Sequence, residues 1–142
     1  MSTVRPATTD DEILRCFPVM AELRPHLLEG EFLARVRRQE RDGGYRLACA
    51  EEAGAVKSVA GYRVLESLSW GRFLYVDDLV TQQDAQSRGH GQALFAWLLA
   101  QAAAAGCAQF HLDSGVQRFA AHRFYLGQRM DITCHHFARK LT

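Results

Sequence analysis

The chain changes hydrophobic period several times, and each change predicts an element boundary. From Phe73 to Thr81 the residues are rich in aromatic and β-branched types, with Gly71 before them and the polar run Gln82 to Ser87 after, which predicts a strand. From Gly89 the period becomes helical: Leu94, Phe95, Leu98 and Leu99 recur with alanines between them, predicting a helix to about Ala105 that stops at Gly106. This strand, polar connection and glycine-bearing helix start form the unit around which the remaining elements are arranged.

Before that unit, Ser2 to Pro6 predicts a short strand. Thr8 to Glu12 reads as a capping run with acidic residues where a helix start favours them. The apolar stripe Ile13, Leu14, Phe17, Met20 and Ala21 continues the helix, and Pro18 and Pro25 bend or end it. Glu29 to Arg41 predicts a second, amphipathic helix through Phe32, Leu33 and Val36, broken at Gly43-Gly44. Tyr45 to Glu51, Val56 to Leu65 and Trp70 to Thr81 then predict an antiparallel meander joined by short turns. After the central helix come a strand from Gln109 to Ser114, a short helix from Val116 to Leu126 and a closing strand from Ile132 to Leu141. The strand-helix-strand order from Phe73 to Ser114 requires a parallel pair.

The start of the central helix has its own chemistry. Backbone N–H groups of a first turn have no intrahelical acceptor, the helix dipole favours negative charge there, and glycine lets an anion approach the backbone. Gly89 and Gly91 stand at that position, with Arg88 and His90 as further donors at the rim. The bland alternative is that the two glycines only shape the turn. A Walker loop is excluded because Gln92-Ala93 replaces its Lys-Ser or Lys-Thr, and the dinucleotide fingerprint fails because Leu94 takes the place of its third glycine.

Gln86-Ser87-Arg88-Gly89-His90-Gly91 resembles the Q/R-x-x-G-x-G/A signature of the GNAT superfamily of acyl-CoA-dependent N-acetyltransferases, and Ala121-His122-Arg123-Phe124-Tyr125 resembles its A-x-x-F-Y segment. The resemblance covers the whole chain and suits a small bacterial-type member. It implies the α/β (α+β) acyl-CoA N-acyltransferase fold: a mixed, mostly antiparallel sheet with a splayed parallel pair, flanked by about four helices. By that resemblance, acetyl-CoA is the co-substrate. Its pantetheine arm would pair with the backbone of Leu79, Val80 and Thr81, and the amides of Ser87, Arg88, Gly89, His90, Gly91 and Gln92 would hold its diphosphate. Arg118, where relatives carry asparagine, would reach a CoA phosphate, with a surface role as the alternative. Arg129 replaces a family glycine and is strained if that turn needs positive φ.

Direct acetyl transfer to an amine needs a neutral nucleophile, a donor at the oxyanion and a proton for the thiolate, but no enzyme nucleophile. Tyr125, matching the family tyrosine near the CoA sulfur, is the general acid implied. Asp78 is the preferred base or amine binder, with Asp77, Asp113, His111 or a water as alternatives. Because neighbouring strand residues point to opposite faces, only one of Asp77 and Asp78 is expected to look into the acceptor cleft. The first two helices would line the acceptor's entrance. Arg35, Arg37, Arg38 and Arg41 on the second read as a solvated face rather than as attraction for an acidic acceptor.

Composition narrows the rest. At 142 residues and 48% hydrophobic, the chain suits a single domain over residues 1–142 with a real core. A net charge of +1 argues against nucleic-acid or membrane-surface partners, and no apolar run approaches a spanning length or a signal peptide, so a cytoplasmic protein is expected. Cys16, Cys49, Cys107 and Cys134 are scattered, which predicts reduced, mostly buried thiols. The histidines show no metal-ligand spacing, so no metal is expected. The expected partner is a small-molecule or peptide amine, and the resemblance allows a homodimer through His135 to Arg139. The reading from a different class is an acyl-CoA-binding sensor without turnover.

Overall fold

The structure is a computed structural model that describes residues 2–142. It divides into one unit ending at His111 and a second from Leu112 to Thr142. The first carries strand β1 (Thr3–Pro6), helices α1 (Asp10–Arg15), α2 (Phe17–Leu23) and α3 (Glu29–Gly43), strands β2 (Arg46–Glu52), β3 (Ala55–Ser67) and β4 (Gly71–Thr81), and helix α4 (His90–Ala104). Strand β5 (Gln109–Leu112) begins in it, and the second unit carries helix α5 (Phe119–Gly127). The sheet order is β1-β2-β3-β4-β5, with the first three pairs antiparallel. β5 follows α4 back to the side of β4, which makes the mixed sheet with its parallel pair.

Local chemistry explains the boundaries. The expected first helix is two helices, because the chain turns at Cys16 and Pro18 restarts it in the first turn of α2, where its missing N–H leaves nothing unsatisfied. Gly44, at φ +69°, ends α3 in the left-handed region. The β2–β3 hairpin closes through Ala53 (φ +53°) and Gly54 (φ +78°), the two positive φ angles that match a tight turn to strand twist.

Ile13, Cys16, Met20, Phe32, Val36, Leu47, Cys49 and Val59 form a buried core cluster. Ala48 and Ala50, which alternate with Leu47 and Cys49 along β2, are buried too, so this strand is covered on both faces. Leu94, Phe95 and Leu98 bury the apolar stripe of α4. No helix among the described residues is long and apolar enough to cross a membrane.

Three expectations need correction. Residues 131–142 form no strand and are exposed throughout, with Ile132 76% and Phe137 93% accessible. Their composition supplies β-propensity, but a strand also needs a ladder partner, and these residues have none. β5 ends at Leu112 and α5 starts at Phe119, both short of the predicted limits. Of the thiols, Cys16 and Cys49 are buried, Cys107 is half-buried and Cys134 is exposed.

At the start of α1, Thr9 and Glu12 form a reciprocal capping box. The backbone N–H groups of Thr9 and Thr8, with the charge of Arg5, hold the Glu12 carboxyl down to about 2. A lowered native value gives stability that is complete above the ordinary value of 4.5 and is lost as the pH falls toward about 2. Glu12→Gln should therefore destabilise the protein clearly at pH 7. Its deficit in thermal unfolding should shrink toward zero between those two values.

Candidate active site

The site is built on β4. Asp78 pairs with Gly61 and Val76 with Tyr62, so Asp77 is an extra residue with no partner on β3. Such a bulge breaks the two-residue alternation of side chains. As a result Asp77 and Asp78 both line one cavity of about 270 Å³, together with Arg24, His26, Arg35 and Tyr45. The expectation that the two acids face apart is thus overturned, because it assumed an uninterrupted ladder.

Each carboxylate holds a guanidinium. Arg63 donates through Nε to Asp77 Oδ2 at 2.9 Å and Oδ1 at 3.2 Å, and through a terminal nitrogen to Gln39 Oε1 at 2.8 Å. Arg24 donates through Nε to Asp78 Oδ1 at 2.9 Å and through a terminal nitrogen to the carbonyl of Asp77 at 3.0 Å. The Tyr45 hydroxyl donates to Asp78 Oδ2 at 2.8 Å. Burial raises the proton affinity of Asp77, against the opposing pull of Arg63. Burial also pushes Tyr45 well above the ordinary phenol value, reinforced by the charge of Asp78, so Tyr45 is a neutral donor.

Tyr45 reaches Asp78 by lying across Gly61: a Cβ on Gly61 would fall inside the van der Waals radius of the phenol oxygen and collide with the ring. A glycine inside a strand pattern marks this kind of close approach, and it is the sequence signal that could have found Tyr45. Arg24 and Arg63 carried no comparable signal.

At its far end β4 runs into the central helix. β4 has eleven residues and β5 four. β5 starts beside the beginning of β4, where Ala108 N–H donates to the Arg72 carbonyl at 2.7 Å, so it flanks only the first part of that strand. Leu79, Val80 and Thr81 lie beyond its reach. Their other edge pairs with β3, and Ser58 Oγ donates to the Val80 carbonyl at 2.9 Å.

The connection leaves β4 through Gln83–Ala85 and enters α4 with Ser87 at φ +67° and Gly89, its N-cap, at φ +86°. Gly89 has no side chain with which to cap this helix. Gly91 lies so close to β4 that a Cβ there would sit 3.0 Å from Thr81 Oγ1. The two glycines therefore differ in purpose: Gly89 supplies a left-handed turn and Gly91 supplies closeness. Arg88 is exposed, as a rim donor must be. The His90 imidazole is not at the rim. It is 1% exposed, its Nδ1 bonds to Ser2 Oγ, and its Nε2 lies 3.9 Å from the Glu52 carboxylate. As the first helical residue it faces inward, leaving only its backbone toward the anion site.

The remaining candidates fall elsewhere. His111 is stacked on Trp70 at 3.6 Å between ring centroids and does not line the cavity. In the second unit, Tyr125 is half-buried on α5, and burial raises its proton affinity while the neighbouring Arg118 lowers it. Arg118 is the N-cap of that helix. Asp113 faces His136 at 3.5 Å. Arg129 adopts φ +65°, so the turn that holds glycine in relatives does need the left-handed conformation.

A strand that outruns its parallel neighbour and leads to a glycine helix start is the arrangement that the resemblance to acyl-CoA N-acyltransferases implies. The family model "Acetyltransferase (GNAT) family" matches residues 8–129, and the chain belongs to that family. It is 32% identical over 125 residues to the uncharacterized N-acetyltransferase YhdJ of Bacillus subtilis (strain 168), covering 88% of each chain. Among solved structures it is similar to a transcriptional regulator from Bacillus halodurans C-125, with a TM-score of 0.87, 17% identity and coverage of 99% of this chain and all of the other. An aminoglycoside N-acetyltransferase, AAC(6')-Iy, in complex with CoA matches with a TM-score of 0.84 at 13% identity, over all of this chain and 96% of its own. At these identities the two structures show the fold alone.

The Tyr45–Gly61 contact makes a sharp demand. Gly61→Ala should destabilise the protein by roughly 1–3 kcal/mol in urea unfolding, as overpacking does.

Proposed function

We propose that the chain acts as a single acyltransferase domain that moves the acetyl group of acetyl-CoA to a primary amine by direct attack in a ternary complex. One observation carries this reading: a single strand, β4, leads from the two-aspartate cavity through Leu79, Val80 and Thr81 to the glycine start of α4. An acceptor, a thioester and a diphosphate would thus be strung along one rigid element.

The residues suit acetyl-CoA. The gap left by the short β5 offers backbone to the amides of pantetheine, which would add as a surrogate strand along Leu79 to Thr81. The amides of Ser87 to Gln92 would bind the diphosphate, with Gly89 and Gly91 admitting it and Arg88 at the rim. Asp78, one residue before the pantetheine segment, is assigned to the amine, as its binder or as acceptor of its proton. The amine nitrogen forms a bond to the thioester carbon, the C–S bond breaks, the amine loses a proton and the departing thiolate gains one. Tyr125 is assigned that last proton on its motif, burial keeping its phenol protonated until the C–S bond breaks. Arg118 is assigned to a CoA phosphate. The protein is expected to work in the cytoplasm, where acetyl-CoA is made.

The roles separate experimentally. Gly91→Val should lower CoA affinity in calorimetry by at least about tenfold, because its side chain would enter the space against Thr81. Tyr125→Phe should retain CoA affinity and lower kcat by about a hundredfold or more. Variants that both match wild type would overturn the assignment.

A further inference from the structure

The charges around the cavity do not balance. Asp78 is matched by Arg24 on the wall and Asp77 by Arg63 from behind it, yet Arg35 also lines the cavity. The other arginines of α3 are accounted for: Arg37 pairs with Asp10 and Glu40, Arg41 pairs with Asp42, and Arg38 is exposed outside the cavity. Arg35 has no hydrogen-bond or ion-pair partner among the described residues and is only half-exposed. With both aspartates already paired, Asp77 by a guanidinium behind the wall, Arg35 is a positive charge on the wall that no carboxylate answers, and an acceptor bearing only ammonium groups would leave it unsatisfied.

Size points the same way. At about 270 Å³ the cavity lies just below the usual range of ligand sites, roughly 300–1,000 Å³. That volume holds a group the size of an amino acid. We propose that the acceptor is a small primary amine that also carries an anionic group, a carboxylate or a phosphate, held by Arg35 while Asp78 faces the nitrogen. Guanidinium has the planar fork that both anions accept. The anion end would fix the molecule against α3, leaving its amine directed toward β4. This inference rests on the cavity being the acceptor site of the acetyl transfer proposed above.

Matched amines test it with the full-length protein, acetyl-CoA and thiol release as the readout. One pair is an α-amino acid and its carboxamide, and the other is an aminoalkyl phosphate and the corresponding amino alcohol. In at least one pair the anionic member should show a kcat/KM about tenfold or more above its neutral partner, as a charged hydrogen bond would give. The pair that shows it identifies the anion. Arg35→Gln should bring that ratio to about one by raising KM for the anionic member, with KM for acetyl-CoA unchanged. Arg38→Gln, on the same helix, should leave the ratio as in wild type. Equal use of neutral and anionic members, or an unchanged ratio in Arg35→Gln, overturns the inference while acetyl transfer stands. Absence of turnover with every amine overturns both.

Discussion

Two carboxylates on adjacent residues of one strand repel each other, and the first unit is arranged around neutralising that repulsion. The bulge at Asp77 brings both acids to one cavity, and a guanidinium from outside the strand then answers each: Arg63 from β3 for Asp77 and Arg24 from the end of α2 for Asp78. Removing Arg63 would strand a partly buried negative charge, which is a larger penalty than the pair contributes when intact. The helices that pack on this side of the sheet are thus tied to β4 by charge as well as by apolar burial.

The same strand joins two kinds of chemistry. Toward its middle β4 presents side chains to a cavity, and toward its end it presents backbone. The change follows from its neighbours: β3 pairs with it along its whole length, but β5 is too short to do so. An edge exposed only at the end of a long internal strand can take a peptide-like ligand without offering a full-length template for aggregation. Gly91 then sets how near α4 comes to that edge, and Gly89 sets the turn that brings it there.

Elements governed by local periodicity were legible in the sequence. The meander, the central helix and the glycine start that Gly89 caps could all be read from spacing and breakers, as could the capping run from Thr8 to Glu12. Features that depend on distant partners were not. The bulge at Asp77 changes which way two acids point but leaves no mark on the hydrophobic pattern of β4. His90 looked like a polar rim donor because it sits in a polar motif, while its burial is decided by Ser2, Glu52 and the sheet beneath. Ile132 to Leu141 carried strand composition, yet propensity cannot supply the ladder partner a strand requires. The four arginines of α3 were alike in sequence, and only the fold distinguishes Arg35, on the cavity, from Arg37 and Arg41 in ion pairs.

The two aspartates are not equivalent, and the difference lies in how firmly each guanidinium is held. Arg63 is 23% exposed and anchored by Gln39 as well as by both oxygens of Asp77, with its guanidinium 5.4 Å from the Tyr45 ring centroid. Displacing it would break a network rather than a pair. Arg24 is 42% exposed and stands at the end of α2, before Pro25, so water can replace much of what it contributes, and pairs of that kind are worth about 0–1 kcal/mol. Tyr45 keeps Asp78 Oδ2 in place whether or not Arg24 remains on Oδ1. Asp77 is therefore the structural acid of the two, and Asp78 keeps one oxygen on a cation held weakly enough to yield, as the role proposed for it requires.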